Sequence, residues 1–371
     1  MRIAALGDAH LGRSYYPYTD PDTGLNVREL DFERSFTAAV DLALAQEPDL
    51  VVLLGDIFDH PRPTYRSFRV AQRALLAVRD HGIALVAISG NHDTPRLPGT
   101  GSPYSALADT FPELHFATRL AYERIELPGL VVHAVPQMMT VGQTLEALAD
   151  ADRSRSLDAT NLLLTHPRVP QVEPRYADIN EIEVDAGLLR ADLVLLGHYH
   201  VHTRVADGMW YAGSTDTFSF ADDPTRAKGV VVLDTDSGEC RHVPLEGQRP
   251  LVTLDTVLAL GLSPGELQAQ VLERVADVPD DAVARLFLDG VDPGAYRLLD
   301  AEAVRAAHAA ALHVKIEPHF VDVANKVDLP DLSSLSSHWA RYLTEQDLTG
   351  FDRPRIESLG DHYLSRAVEE A

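Results

Sequence analysis

Five short clusters of metal-binding side chains lie within the first 200 residues of the chain, each directly after an apolar run. Carboxylate, imidazole and amide groups are ligands that divalent metal ions accept in proteins. Their types and spacing therefore predict metal-assisted chemistry. The clusters are Gly7-Asp8-Ala9-His10, Gly55-Asp56-Ile57-Phe58-Asp59, Gly90-Asn91-His92-Asp93, Thr165-His166 and Gly197-His198-Tyr199-His200.

The mixture of ligand types favours a pair of metal ions. Two divalent ions about 3.5–4 Å apart require one carboxylate that bridges them, together with neutral donors that do not overcharge the site. Asp56 is the natural bridge. Such a centre can bind a phosphate oxygen, lower the pKa of a bound water and stabilise charge on the leaving oxygen. The predicted reaction class is therefore phosphoester hydrolysis.

A structural role is the simpler interpretation of each cluster taken alone. A single Asp or His at a strand end is more often a cap or a hydrogen-bonded core residue than a metal ligand. The ordered recurrence of five such clusters at successive strand ends favours one shared site instead. Cys240 and His202 lack this context, so packing or solvent contact is their predicted role.

The apolar pattern predicts the elements that must position these clusters. Strands alternate with helices from the N-terminus, which is typical of an α/β fold. Ligands at the ends of such strands meet at one rim of the sheet. A four-layer αββα sandwich accommodates the later strands. The predicted strands are Arg2–Leu6, Asp49–Leu54, Ile83–Ile88, Leu130–Val135, Asn161–Leu164, Asp192–Leu196, Trp210–Ala212, Gly229–Leu233, Leu251–Val257, Ala284–Leu288 and His313–Phe320, and the predicted helices are Phe32–Gln46, Tyr65–Arg79, Pro264–Val275 and Ala301–Ala311.

The pattern restarts after residue 248 and predicts three parts. Residues 1–248 form the phosphoesterase domain, residues 249–329 a small α+β domain, and residues 330–371 a helical tail. Apolar residues at helical spacing predict two amphipathic helices in the tail. These residues are Leu335, Trp339, Tyr342 and Leu343 in the first helix, and Leu359, Tyr363, Ala367 and Val368 in the second.

The composition restricts location and partners. One cysteine and no apolar signal region predict a cytoplasmic protein, and no apolar run approaches the roughly 20 residues that span a bilayer. The net charge of −24 is unfavourable for a protein that grips DNA by its phosphates. If nucleic acid is the substrate, metal ions, local arginines or a more basic partner must supply the contact.

The five clusters together resemble the calcineurin-like metallophosphoesterase superfamily, and within it the SbcD nucleases, bacterial counterparts of the nuclease in the eukaryotic MRN break-repair complex. The resemblance implies two metal sites that share Asp56. One metal would be held by Asp8, His10, Asp56 and His200, and the other by Asp56, Asn91, His166 and His198. Manganese is the expected ion.

The resemblance also implies catalytic positions. His92 matches the family's catalytic histidine, which would protonate the leaving 3′-oxygen or orient the scissile phosphate. Asp59 stands where some relatives have a histidine that positions the substrate. An aspartate there is expected to support a metal ligand, which leaves its direct catalytic role open. Asp93 is expected to hold a neighbouring ligand by a hydrogen bond.

Segments outside the clusters are similar to the SbcD type over nearly the whole chain. Gly12-Arg13 and Arg28-Glu29-Leu30-Asp31-Phe32 resemble the approach to the family's dimerisation helices, and Tyr211–Phe220 resembles the stretch that closes its phosphoesterase domain. The small domain corresponds to a DNA-capping domain, and the tail to ATPase-docking helices. The implied protein is a manganese-dependent DNA exonuclease and endonuclease. It would act on duplex ends, hairpins and single strands with an SbcC-type ATPase.

A homodimer is also expected, through a helix pair that includes Phe32–Gln46. This helix carries an apolar stripe, although such a stripe commonly packs on the protein's own sheet. The stripe consists of Phe32, Phe36, Ala39, Val40 and Ala43.

Two other functions remain open from the sequence. The same metal ligands would serve a phosphodiesterase or phosphomonoesterase that acts on small molecules. An enzyme that hydrolyses small molecules, however, would not need an added domain and a helical tail. A non-catalytic scaffold is the other alternative, but scaffolds of this kind usually lose ligands, and every expected ligand position is filled here.

Overall fold

The computed structural model describes residues 1–117, 119–172, 181–222, 225–321, 335–344, 346 and 352–369. They form two compact units, of which the first comprises Met1–Thr253, Val278–Ala284 and Ala309–Lys315. The second holds the other described residues. The predicted boundaries at residues 248 and 329 stay predictions, and residue 329 lies outside the described residues.

The strands and helices follow one another in an order that alternates in the early part of the chain. The strands are β1 (Arg2–Leu6), β2 (Leu50–Leu54), β3 (Ala84–Ile88), β4 (His115–Ala117), β5 (Glu123–Leu127), β6 (Leu130–Val135), β7 (Thr160–Thr165), β8 (Leu193–Leu196), β9 (Thr203–Ala206), β10 (Met209–Tyr211), β11 (Gly229–Asp234), β12 (Cys240–Pro244), β13 (Leu251–Thr253), β14 (Val257–Leu258), β15 (Val283–Val291) and β16 (His313–Phe320). The helices are α1 (Val27–Leu44), α2 (Tyr65–Asp80), α3 (Pro103–Thr110), α4 (Val141–Arg153), α5 (Pro264–Ala276), α6 (Pro293–Arg297), α7 (Ala301–Ala307), α8 (Leu335–Thr344) and α9 (Arg353–Glu369).

Two six-stranded sheets form the centre of the first unit. Their strand orders are β12-β11-β1-β2-β3-β4 and β5-β6-β7-β8-β10-β9. The neighbours β1, β2, β3 and β4 run parallel in the first sheet, and β6, β7, β8 and β10 run parallel in the second. The remaining pairs are antiparallel. The carboxyl ends of the parallel strands therefore lie at one edge of each sheet.

Three buried apolar clusters produce the predicted layers. Between the sheets, Val52 and Leu54 pack with Leu162 and Leu195. On the outer face of the first sheet, α1, α2 and α3 contribute Phe36, Leu75 and Tyr104 to a second cluster. Leu148 of α4 packs in the third cluster, on the second sheet. The four-layer αββα sandwich is thus confirmed.

The apolar stripe of α1 is the main correction to the sequence prediction. Its five residues are between 0% and 3% exposed within the single chain. Four of them, Phe36, Ala39, Val40 and Ala43, pack under the helix on the first sheet and on α2, since an amphipathic helix buries its apolar face against the nearest apolar surface. The ring of the fifth, Phe32, lies 5.0 Å from the ring of Phe218. A homodimer face built from this stripe is therefore wrong. The homodimer itself stays a prediction.

A third sheet has four strands in the order β13-β15-β14, with β16 also paired to β15. The predicted strand Leu251–Val257 is divided into β13 and β14. Val257 lies opposite Leu288 in a parallel pair. The predicted helix Ala301–Ala311 is shorter and ends as α7 at Ala307.

The two tail helices are present and contact each other. The indole nitrogen of Trp339 in α8 donates to the carbonyl of Glu357 in α9, 3.4 Å away. Gly360 permits this approach, since a Cβ there would clash with the Trp339 ring. Leu343 is buried, whereas Tyr342 and Tyr363 are more than half exposed. Among the described helices, none has the length and apolar character to cross a membrane.

Candidate metal centre

The five clusters meet at one rim of the two sheets in the first unit. Backbone hydrogen bonds join the loops: Asp8 N–H donates to Gly55 O at 3.0 Å, and His10 N–H donates to Asp56 O at 2.9 Å. Across the second sheet, Gly197 N–H donates to Thr165 O at 3.2 Å. The loops after β1 and β2, and those after β7 and β8, are therefore fixed in pairs.

Four ligand candidates have left-handed backbone angles. The φ values are 50° at Asp8, 47° at His10, 50° at Asp56 and 91° at His198. This region is uncommon for residues other than glycine and costs on the order of 1–3 kcal/mol at each position. Such strain clusters at functional sites, because the surrounding structure must impose it.

The glycines that precede these ligands leave room for their side chains. A Cβ at Gly55 would lie 2.6 Å from His166 Nδ1, and one at Gly197 would lie 2.5 Å from the same atom. A Cβ at Gly90 would lie 2.6 Å from the Asp56 carboxyl carbon. Glycine at these turns therefore permits the close approach of the loops around Asp56 and His166.

The side chains converge on Asp56. Its Oδ2 lies 3.1 Å from His166 Nε2 and 3.8 Å from His10 Nε2. The candidate ligand atoms of Asp8, Asp56 and His166 all lie within 4.8 Å of one another, as do those of Asp8, His10 and His200. The structure thus brings five predicted ligands into two overlapping groups.

The other two predicted ligands lie beside these groups. Asn91 Oδ1 is 3.1 Å from His198 Nδ1. The His198 ring is 5.4 Å from the His166 ring, and the His198 N–H donates to Asp8 Oδ1 at 2.9 Å. All seven predicted ligand positions therefore gather at one place.

Three of the histidines are oriented through Nδ1. His10 Nδ1 lies 3.0 Å from Asp59 Oδ1, His166 Nδ1 lies 2.6 Å from Leu54 O, and His200 Nδ1 lies 3.3 Å from Asp222 Oδ1. Partners of this kind fix the ring and leave Nε2 for a metal.

Asp222 was not identified from the sequence. It is buried and also lies 3.6 Å from the ammonium group of Lys228. Burial opposes its ionisation, but His200 and Lys228 outweigh burial and hold the pKa of Asp222 well below its usual range. It is therefore a charged partner for the His200 ring.

The electrostatics show an excess of buried negative charge. Burial raises the pKa of Asp8 to about 8, and burial together with the Asp56 carboxylate raises the pKa of Asp93 to about 7. Burial lowers the pKa of His166, yet the Asp56 carboxylate outweighs it and raises that pKa to about 9. Cations in the cluster would offset this charge.

Divalent metal ions fit these residues. His10 Nε2 is buried and has no hydrogen-bond partner among the described residues. A buried nitrogen without a partner is costly unless something binds it. The donor set combines carboxylate, imidazole and amide groups, which suits borderline divalent cations.

His92 and Asp59 lie at the edge of the cluster. His92 Nδ1 is 3.1 Å from the Asp59 carbonyl oxygen, and the His92 N–H donates to Asp56 Oδ1 at 2.8 Å. Asp59 Oδ1 lies between His10 Nδ1 and Arg13 Nη1, at 3.0 and 2.8 Å. Asp59 is therefore placed to support the predicted ligand His10. A direct catalytic role for Asp59 stays a prediction.

Asp93 supports the loops instead of a ligand side chain. Its two carboxylate oxygens accept from Gly90 N–H at 2.7 Å and from Ile57 N–H at 3.0 Å. His202 lies apart from the cluster, with Nδ1 2.8 Å from the carbonyl of Tyr211.

Comparison with known families agrees with this geometry. The family described as Calcineurin-like phosphoesterase matches residues 1–202, which is more than half of the chain. The chain belongs to this family.

Three relatives extend the comparison, and each is called DNA double-strand break repair protein Mre11. That of Saccharolobus solfataricus is 29% identical over 58% of this chain and 55% of its own length. That of Thermoplasma acidophilum is 27% identical over 68% of this chain and 67% of its own. That of Haloferax volcanii is 28% identical over 100% of this chain and 76% of its own. The chain thus spans about half the length of the first relative.

Proposed function

We propose that this phosphoesterase is a two-metal DNA nuclease that hydrolyses phosphodiester bonds at broken DNA ends. The observation that carries the proposal is that the seven predicted ligands, including Asp56, lie together at one place, with His92 beside them. The relatives named as double-strand break repair proteins support DNA as the substrate. Manganese is the proposed ion, and an SbcC-type ATPase is the proposed partner of a homodimer in the cytoplasm.

The chain's own residues have separate tasks in this proposal. Asp8, His10, Asp56 and His200 would hold one metal, and Asp56, Asn91, His166 and His198 the other. When bound, the metals supply Lewis-acid activation of a phosphate oxygen and of water. Asp59 and Asp222 keep the His10 and His200 rings oriented through Nδ1.

His92 would handle the proton at the leaving group. Its Nδ1 lies within hydrogen-bond distance of the Asp59 carbonyl, which can only accept, so the Nδ1 proton is fixed there. In the imidazolium form of the ring, Nε2 carries a second proton that would face the substrate. As a water oxygen forms its bond to phosphorus and the bond to the 3′-oxygen breaks, the leaving oxygen would take this Nε2 proton, and His92 would remain as a neutral ring with its proton on Nδ1.

Digestion assays test the proposal. Blunt duplex, hairpin and single-stranded DNA are compared with bis-p-nitrophenyl phosphate and p-nitrophenyl phosphate in manganese, with and without the ATPase. A nuclease cleaves DNA and the small diester, and the ATPase increases cutting of duplex ends. Hydrolysis of the monoester alone would contradict the proposal and support a small-molecule phosphomonoesterase.

A further inference from the structure

A cleft of about 920 Å³ opens beside the candidate metal centre. Asn91, His92 and Asp59 line the side nearest the ligands. Its size falls within the roughly 300–1,000 Å³ of pockets that bind small molecules and cofactors. A group held here would adjoin a phosphate bound at the metal cluster. We call this space the His92 cleft.

One part of the His92 cleft is apolar. Leu97, Met138, Met139 and Val141 line it. Leu97 is 68% exposed and Met139 38% exposed, whereas Met138 is buried. Exposed apolar side chains grouped beside a polar site indicate a ligand with an apolar face. Methionine sulfur also makes favourable contacts with aromatic rings, including those of flat heterocycles.

The cleft also contains two available guanidinium groups. Arg62 and Arg96 line it and are exposed. Throughout the described residues, neither forms an ion pair with a carboxylate. Guanidinium groups bind phosphate through paired hydrogen bonds. They are therefore available to an anionic ligand, in a chain whose net charge is −24.

The acidic residues that line the cleft have basic neighbours of their own. Asp59 is paired with Arg13 at 2.8 Å. Glu181 lies 3.4 Å from His198 Nε2 and 3.7 Å from Arg168, which is also 3.3 Å from Glu183. The His92 cleft thus combines an apolar surface with two arginines. A nucleotide has both matching parts, a flat base and a phosphate.

We propose that the His92 cleft is a nucleotide subsite of the DNA strand. It seats the nucleoside next to the scissile phosphate, with the base against Leu97, Met138 and Met139. Arg62 and Arg96 bind the following phosphate of the same strand. This inference rests on the proposed function, because it takes the metal cluster as the place of the scissile phosphate.

The test uses single-stranded oligonucleotide cleavage by the wild type and by the double variant Arg62→Ala/Arg96→Ala. Arg69→Ala is the matched control, since Arg69 is an exposed arginine of α2 outside the cleft. The double variant should raise KM on the order of tenfold or more. Its slope of log KM against log salt should fall by about 0.7, because both arginines bind one phosphate and each phosphate contact on a single strand contributes about 0.7.

A second variant tests the apolar surface. Leu97→Ala/Met139→Ala removes exposed side chains and should not unfold the protein. It should raise KM several-fold and leave the salt slope unchanged, because no phosphate contact is lost. If both double variants behave like Arg69→Ala, the cleft does not bind the strand and the inference is wrong.

Failure of the proposed function gives a different result. Bis-p-nitrophenyl phosphate has no second phosphate and does not depend on the cleft. If the wild type fails to hydrolyse it, that failure counts against the metal centre and not against the cleft. Fluorescence anisotropy of a labelled oligonucleotide then tests the cleft without turnover. Weaker binding and a smaller salt slope in Arg62→Ala/Arg96→Ala support the subsite, and unchanged binding overturns it.

Discussion

His92 has the most exposed side chain of the five histidines in the cluster. It is 27% exposed, compared with 22% for His200, 15% for His198, 2% for His10 and 0% for His166. It also lines the cleft where a strand would enter. However, candidate ligand atoms of His10, Asp59 and His92 lie within 4.8 Å of one another, so a metal there is geometrically feasible. Substitution separates these two roles.

The variant His92→Ala should keep two metals per chain and lose cleavage by about 10²–10⁴-fold, the usual contribution of general acid catalysis. Metal content by mass spectrometry and the rate on bis-p-nitrophenyl phosphate are measured on the same sample. His202→Ala is the matched control, since His202 lies outside the cluster. Loss of metal along with activity would make His92 a ligand.

Asp222 acts on the centre through the His200 ring. The variant Asp222→Asn keeps the size of the side chain but removes the charge that faces Nδ1. Metal affinity should fall by about 10–100-fold at one of the two sites, since supporting residues of this kind have effects of that size. Manganese titration by calorimetry measures both sites, with the exposed Asp207→Asn as control. Equal weakening of both sites would contradict the assignment.

The ligand candidates could be predicted from the sequence because they stand beside apolar runs, and parallel strands bring their ends together. Asp222 could not. It follows His200 by 22 residues in the sequence and belongs to none of the five clusters. The chain has 56 acidic residues, and nothing in the sequence distinguishes this carboxylate from the others. Only the folded chain shows that it reaches His200.

At the scale of elements, α1 connects two segments that the sequence singled out separately. Arg28 is fully buried and donates to Asp31 Oδ2 at 2.7 Å, to Asp216 Oδ1 at 3.2 Å and to the carbonyl of Thr217 at 2.7 Å. The segment Arg28–Phe32 therefore binds the stretch Tyr211–Phe220. This contact gives both segments a structural role within one chain.

The variant Arg28→Ala should lower the free energy of unfolding by about 3–5 kcal/mol, because it leaves the buried Asp216 carboxylate without its cation. Urea denaturation followed by circular dichroism measures the change. Arg34→Ala is the control: Arg34 also bonds Asp31, but its side chain is 70% exposed, so the change should stay within about 0.5 kcal/mol. If both variants lowered the free energy of unfolding equally, burial of Arg28 would not be the source of its stabilising effect.

The elements that the sequence predicted well have strong patterns. β1 and β16 have the predicted bounds. The start of α1 was placed too late, because the side chain of Asn26 caps Arg28 N–H and Glu29 N–H and begins the helix at Val27. α4 was not predicted, since its buried face includes the small or polar residues Thr144, Ala147 and Ala151, which give a weak apolar stripe.

At the scale of the whole molecule, the tail has its two predicted helices and exposes two aromatic side chains. Trp339 holds α8 to α9, so the exposed aromatic residues are Tyr342 and Tyr363. Side chains of Leu335, Ala367 and Val368 lie outside the described part of the chain. Docking of the tail to the ATPase stays a prediction, with these two tyrosines as its candidate contacts.

Truncation after Pro330 tests the tail. The truncated protein should keep both metals, its melting temperature and its hydrolysis of bis-p-nitrophenyl phosphate. It should lose co-purification with the ATPase and ATP-dependent cutting of duplex ends. The double variant Tyr342→Ala/Tyr363→Ala should reproduce the loss of binding if these residues are the anchors. Unchanged affinity after truncation would place the partner elsewhere.

The central claim is that two divalent ions share Asp56 and activate a phosphodiester. The most direct measurement is a manganese titration of the metal-free protein, with bound metal and hydrolysis of bis-p-nitrophenyl phosphate recorded at each point. The wild type should bind two ions per chain, with activity that follows the second ion, and Asp56→Ala should lose both ions. Full activity with one ion per chain, or two ions retained by Asp56→Ala, would contradict it.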